Sequence, residues 1–294
     1  MIRSDVRMMK RDLARGALFA CLVLTPAMAA ALDAARLTDS ITAISAGDGS
    51  AQRRDAILTR LRALGVDAKL QTFGQGERSG VNVVVTLPGS DPRIILVGAH
   101  YDRVKVGQGV VDNGSSCATL IELIGAFNAT PLRRYTLNFV FFDLEEAGLL
   151  GSKAYFAANT ERPVFAMNLD VFAYGNEFFV TASKPDGALV RALRRAASAD
   201  NIPLRDAPLD RYPGSDHRSM ISAGLETVGI ALVDSADIDG VLAIGGSSLA
   251  VGKGPRIMSI IHTPGDTLAE LRVADVTRAI LGLERTIRML DRAD

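Results

Sequence analysis

The sequence predicts an α/β protein in which helices cover both faces of a mixed, largely parallel sheet, giving a three-layer αβα sandwich. Three observations predict it. Short β-rich runs alternate along the chain with stretches whose apolar residues recur at three and four spacing, the pattern of strands interleaved with helices. Most of those runs are continuously apolar rather than alternating, as strands covered on both faces are. The 294 residues, 48% of them hydrophobic, suffice for one large core, so residues 30–294 are expected to form a single domain.

The first segment stands apart. Arg3, Arg7, Lys10, Arg11 and Arg15 precede the apolar run GALFACLVL, which ends at Pro26 and the small triplet Ala27-Met28-Ala29. This reads as a cleaved export signal over residues 1–29, with a periplasmic or secreted destination. The run is shorter than the roughly 20 apolar residues of a membrane span. Lipoprotein processing at Cys21 is the rival reading, and the bulky Phe19 argues against it. After cleavage at Ala29, Cys117 is the one cysteine left, so an intramolecular disulfide is excluded. Of 33 basic and 33 acidic residues, five and two lie in residues 1–29, leaving 28 against 31. That slight acidity offers no basic face for nucleic acid.

From Leu32 to Leu64, Leu37, Ile41, Ile44, Ile57, Leu61 and Leu64 mark two helices with a Gly47-Asp48-Gly49 turn between them. Strands are expected at residues 81–87, 93–100, 136–143, 164–171, 177–182 and 226–232. Helices are expected at Ser116 to Phe127, Leu149 to Ala158, Gly187 to Ala199, Ser215 to Ala223 and Val273 to Leu290. Residues 233–258, rich in glycine, read as a loop forming one wall of a pocket. Their GSSLAVGKG stretch is one residue too long in its glycine spacing for a phosphate loop, and no Ser or Thr follows Lys253, so nucleotide binding is not expected. Functional groups of such sheets gather beyond the carboxyl ends of the strands. That rule directs attention to His100, to Asp143 through Glu146, to Asp170 and to the segment after Leu232.

His100 ends one strand, and Asp102 follows closely enough to accept a hydrogen bond from the imidazole's far nitrogen, as carboxylates behind metal-binding histidines do. An ordinary hydrogen-bonded pair fits equally well. Asp112 lies in VVDNGSS ahead of a helix that Ser115 or Ser116 can cap. The segment FFDLEEAGLLGS brings Asp143, Glu145 and Glu146 to one strand end, where neighbouring carboxylates repel unless a cation or proton is shared. A solvated, acid-rich helix start is the alternative. Asp170 sits in the apolar run MNLDV, and His262 follows the apolar run before IIHTPGDTL, read as a further strand, with Thr263, Asp266 and Thr267 anchoring its loop. Two imidazoles and three carboxylates suit zinc, with cobalt or manganese the weaker fits.

The order His-x-Asp, Asp-Asn-Gly-Ser, Glu-Glu, Asn-Leu-Asp and His-Thr-x-x-Asp-Thr resembles the M28 family of zinc peptidases, from about Val81 to the C-terminus. The resemblance implies the zinc exopeptidase fold, two Zn2+ ions and peptide substrates. It implies that Asp112 bridges the two ions, with His100 and Asp170 completing one site and Glu146 and His262 the other. Glu145 is then the general base, and the Asp112–Asn113 peptide is cis. RYPGSDHRSM also resembles the family, placing Tyr212 to face an oxyanion, with Asp216 and His217 either behind the metals, as Asp102 and Asp266 would be, or simply capping a helix. Ser116, Val171 and Met220 depart from the residues usual in the family, and none of the three is a ligand.

The expectation is an aminopeptidase with a metal-activated water as nucleophile. Arg211 and Arg218, flanking the Tyr212 motif, would suit a substrate carboxylate and keep a carboxypeptidase or dipeptidase open. A glutaminyl cyclase shares the scaffold but uses a tryptophan-lined pocket, and this chain has no tryptophan. A non-catalytic ectodomain would have lost ligands that this chain keeps.

Overall fold

The computed structural model describes residues 33–245 and 254–292. The expected export signal and most of the GSSLAVGKG stretch lie outside the described residues.

Two helices open the chain, α1 (Ala34–Ser45) and α2 (Ser50–Ala63). The Asp33 side chain caps α1 by accepting from the Ala35 amide at 2.9 Å, and the Gln52 side chain caps α2 by accepting from the Gly49 amide at 3.0 Å. Eight strands follow: β1 (Lys69–Gln75), β2 (Arg78–Leu87), β3 (Asp91–His100), β4 (Tyr135–Phe142), β5 (Phe165–Leu169), β6 (Glu177–Ala182), β7 (Leu204–Asp206) and β8 (Glu226–Val233). Between and after them run α3 (Ser115–Ala129), α4 (Leu150–Ala158), α5 (Ala188–Ala199), α6 (His217–Ser222), α7 (Ser235–Gly245) and α8 (Val273–Arg292).

The strands form one sheet in the order β1-β2-β4-β3-β5-β8-β6-β7. β4, β3, β5 and β8 are parallel at its centre, while β2 and β6 join that block antiparallel from either side. The pleat sends alternate residues to opposite layers. Val97 and Ala99 of β3 and Phe139 and Phe141 of β4 enter the core beneath α1, α2, α3, α5 and α8, whereas Leu96, Val140 and Phe142 pack with Tyr155 of α4 and Met220 of α6 on the other face. Both faces are therefore dry, which is why the strands read as continuous apolar runs. α8 shows how the outer layer is fixed: Val276, Ile280, Leu283, Ile287 and Leu290 make a buried stripe of four and three spacing. Each such side chain contributes on the order of 1.5–3 kcal/mol.

Three expectations need correction. The segment read as a loop from residue 233 to 258 contains α7, because Gly240 and Gly245 interrupt the sequence pattern without breaking the helix. The run before His262 is a short 3-10 turn, Arg256–Ser259, that packs Ile257 and Ile260 into the core rather than joining the sheet. β1 and β7, on the sheet's two edges, were not expected from the pattern.

Candidate metal centre

The register of the central strands decides which side chains meet. Gly98 of β3 lies opposite Asn168 of β5, so His100 and Asp170 leave the sheet side by side at its carboxyl edge, and His100 pairs with Phe142 immediately before the Asp143–Glu146 turn. Asp112 comes from the irregular turn Val110–Gly114 ahead of α3, and its peptide to Asn113 is cis. His262 comes from the opposite direction, on the loop between the 3-10 turn and α8.

These five side chains make two groups that share Asp112. Ligand-capable atoms of His100, Asp112 and Asp170 lie within 4.8 Å of one another, and so do those of Asp112, Glu146 and His262. His100 Nε2 is 3.2 Å from Asp112 Oδ1 and 3.4 Å from Asp170 Oδ1. His262 Nε2 is 3.0 Å from Asp112 Oδ2 and 3.2 Å from Glu146 Oε1. Each oxygen of Asp112 thus faces a different imidazole. Among the described residues no lysine or arginine stands within salt-bridge distance of Asp112, Glu146 or Asp170, so the histidines are their one cationic counterpart.

The environment holds the imidazoles charged when nothing else neutralises the carboxylates. For His100, burial disfavours the cation, but the charge of Glu145 and the hydrogen bonds of Asp102, Asp112 and Asp170 outweigh it and raise the pKa well above normal. His262 is pushed up to about 10, first by its hydrogen bond with Asp112 and then by that with Glu146. Burial lifts Asp112, yet its bonds to both histidines win and hold it below the usual carboxylate range. Glu145 rises to about 9, chiefly by burial, with the charges of Asp170, Asp216 and Asp112 adding to it against the opposing pull of His100. A divalent cation could take the place of the two imidazole protons without further charge: the donors are imidazole nitrogens and carboxylate oxygens in two converging triads, the set that zinc prefers.

A layer of hydrogen bonds fixes the donors. Asp102 Oδ1 is 3.3 Å from His100 Nδ1, on the side of the ring away from Asp112 and Asp170. The same carboxylate accepts from the Glu145 amide at 3.0 Å and the Glu146 amide at 3.1 Å, which ties the acidic turn to the histidine. Asp266 accepts from the amides of Val111 at 2.7 Å and Asp112 at 3.2 Å. Leu144, Val171 and His262 all take positive φ, at 56°, 57° and 59°. For a β-branched residue such as Val171 this is a strained conformation, of the kind that gathers at functional sites.

The other expected residues fall as follows. Tyr212 is buried, stacked on Phe179 at 4.9 Å, and its hydroxyl donates to the Phe179 carbonyl at 3.3 Å. Asp216 and His217 are fully buried at the start of α6, and among the described residues neither makes a hydrogen bond to any of the five clustered side chains. Their helix is not capped by the Asp216 side chain. Burial, reinforced by Arg218, lowers His217 to about 4, and its ring meets the edge of Tyr212 at 5.4 Å. Arg211 and Arg218 border a cleft of about 410 Å³ that opens beside Asp170 and His262. That cleft is walled by Val171, Phe179, Val241, Ile244, Ile257 and Ile261. Sequence reasoning missed two supporting residues. Asp237 of α7 accepts from the amides of Arg256 and Ile257 at 2.7 and 2.8 Å, fixing the cleft wall, and Arg53 of α2 is buried behind the His100 loop. Nothing in their local patterns set either apart from an exposed charge.

The model of peptidase family M28 matches residues 82–282. Leupeptin-inactivating enzyme 1 of Streptomyces exfoliatus is 29% identical over 183 residues, which are 60% of this chain and 41% of that protein. The chain thus spans less than half the length of this relative. Among solved structures, an aminopeptidase from Aneurinibacillus sp. strain AM-1 superposes with a TM-score of 0.69 at 15% identity, covering 88% of this chain and 94% of that one. Glutaminyl cyclase of Porphyromonas gingivalis superposes with a TM-score of 0.71 at 17% identity, covering 88% and 99%. At such identities these two establish the fold, and it is the family match over the strands and turns of the site that assigns the chain: it belongs to peptidase family M28.

Proposed function

We propose that the chain is a two-zinc exopeptidase that removes apolar residues from the free N-terminus of peptides. The observation that carries this reading is the pair of triads sharing Asp112, with Glu145 beside them but outside both. His100, Asp112 and Asp170 would hold one zinc ion, and Asp112, Glu146 and His262 the other. Bound there, zinc would supply Lewis acidity and lower the pKa of a water towards about 7.

The remaining work belongs to the chain. With the charge of bound zinc offsetting the burial that lifts it, Glu145 would be ionised, take the proton of the attacking water and return it to the leaving amine, a role contributing about 10²–10⁴-fold. Its backbone N–H donates a hydrogen bond to the Asp102 carboxylate, which fixes the point from which the Glu145 side chain starts. Tyr212 lines the same cleft, and its long bond to Phe179 is weak enough to be exchanged for an oxyanion. The apolar wall from Val171 to Ile261 receives the side chain of the residue released. Arg211 and Arg218 favour a second reading, in which the cleft takes a substrate's carboxylate instead. Export through residues 1–29 is part of the proposal, and no helix among the described residues is long and apolar enough to cross a membrane.

The test compares hydrolysis of leucyl-, alanyl- and glutamyl-anilides with their N-acetylated forms, with zinc content measured on the same preparation. Free leucyl substrate should be cleaved fastest and blocked substrate not at all. Equal cleavage of blocked and free forms would remove the aminopeptidase assignment.

A further inference from the structure

Arg53 lies on α2, in a stretch outside the residues matched to the family, and it is 0% exposed. Among the described residues it has no carboxylate partner. Its guanidinium instead donates to three main-chain carbonyls: Nε to Tyr101 at 2.5 Å, Nη1 to Gln108 at 3.1 Å and Nη2 to Gly109 at 3.1 Å. Burial lowers its pKa from the ordinary value, the cost of placing a cation there. The three carbonyls belong to the loop that joins His100 to Asp112. Tyr101 follows His100 directly, and Gly109 opens the turn that carries Asp112. On its far side the same loop is held by Asp266, whose carbonyl accepts from the Gln108 amide at 2.8 Å and whose carboxylate accepts from Val111 and Asp112. The loop is clamped between a buried fork and a buried carboxylate.

We propose that Arg53 is a positioning residue of the metal centre, setting the separation at which His100 and Asp112 present their ligand atoms. The inference rests on the metal-centre reading above. The three carbonyls are reached from three different nitrogens of one rigid fork, which the single nitrogen of a lysine cannot reproduce, and losing the fork would leave the buried Tyr101 carbonyl without its donor. Arg36 provides an internal control. It ties α1 to α3 through Glu122, with Nε 3.0 Å from Oε1, and among the described residues it makes no hydrogen bond to the loop.

The experiment uses the full chain and measures zinc affinity by competition with a chromophoric chelator, alongside thermal unfolding, for Arg53→Met, Arg53→Lys and Arg36→Met. Partners behind metal ligands typically change affinity by about 10–100-fold, and both Arg53 variants should weaken zinc binding by at least about tenfold while still unfolding cooperatively. Arg36→Met should stay within about threefold of the parent, whatever its melting temperature. In a further variant, Arg53→Ala, methylguanidinium should restore part of the zinc affinity, and no restoration in a folded variant counts against the proposal. If Arg53→Met does not fold, Arg53→Lys decides: affinity within about threefold of the parent overturns the proposal, as does an equal loss in Arg36→Met. A parent that binds no zinc is a separate result and sinks the metal-centre reading itself.

Discussion

The two triads that share Asp112 have the same donor types, one imidazole and two carboxylates each, but differ in exposure and support. His100 is 1% exposed, ends a central strand, and has its far nitrogen held by Asp102. His262 is 52% exposed, sits at positive φ on a loop, and among the described residues its other nitrogen has no partner. One half of the centre is thus built into the sheet, while the other closes onto it from the loop that also walls the apolar cleft. On the proposed reading, the inner half would be the fixed part of the site and the outer half the part open to exchange. Screening, water access and backbone freedom all favour faster exchange at His262.

Substitutions can break that contrast or sharpen it. Asp112→Ala has the largest expected effect: both halves lose a ligand, two zinc equivalents are lost by elemental analysis, and activity falls to background. His262→Ala should lose only the outer ion, whereas His100→Ala should lose the inner one and lower the melting temperature as well. Next comes Glu145→Gln, which should retain both ions and lose about 10²–10⁴-fold in kcat, since it removes a base without removing a ligand. Retained turnover would overturn the division of roles between the adjacent glutamates. Asp102→Asn should weaken zinc at the inner half by about 10–100-fold and leave the outer half nearly unchanged. An equal effect on both would mean that its bonds to the Glu145 and Glu146 amides matter more than its bond to His100.

The pH dependence is smaller and has a definite sign. Without metal, His262 is pushed up to about 10 and His100 well above its usual value, so both imidazoles are protonated near neutral pH. Zinc must displace those protons, and its apparent affinity should therefore rise with pH between 6 and 8, by about tenfold per unit for each proton released. Calorimetry in buffers of different ionisation enthalpy counts the protons, and no proton release would contradict the ligand assignment. The smallest change is Ile244→Ser in the cleft wall, at a half-buried position outside the core, expected to lower kcat/KM on leucyl substrates by about tenfold with little effect on alanyl ones.

Much of this was readable in the sequence because the sheet is covered on both faces. Continuous apolar runs end abruptly at His100, at Asp143 and at Asp170, which marks the strand ends, but each residue alone fits a structural role as well, as Asp143 does by accepting from the Val81 amide, and only the order of the motifs singles out the set. The unread parts share a cause too. β1 is an edge strand whose residues are mostly exposed, so its pairing with β2, not its own apolar content, makes it a strand. α7 was hidden by glycines inside a helix, and the turn before His262 by an apolar run that buries itself without joining the sheet. Arg53 was hidden by its company, since RRDA on a helix looks like a solvated face until the fold buries one of its two arginines. Local pattern records which residues are apolar, and the partner of a charge is settled only by tertiary packing.

The central claim is that this chain carries two metal sites of unequal exposure joined at Asp112. It is tested most directly by removing zinc from the fully loaded protein with a slow chelator while counting ions and following activity. Two equivalents per chain should leave in two phases, with the faster phase abolished by His262→Ala and the slower by His100→Ala. A single equivalent, or two that leave together in one phase unaffected by His262→Ala, would contradict it.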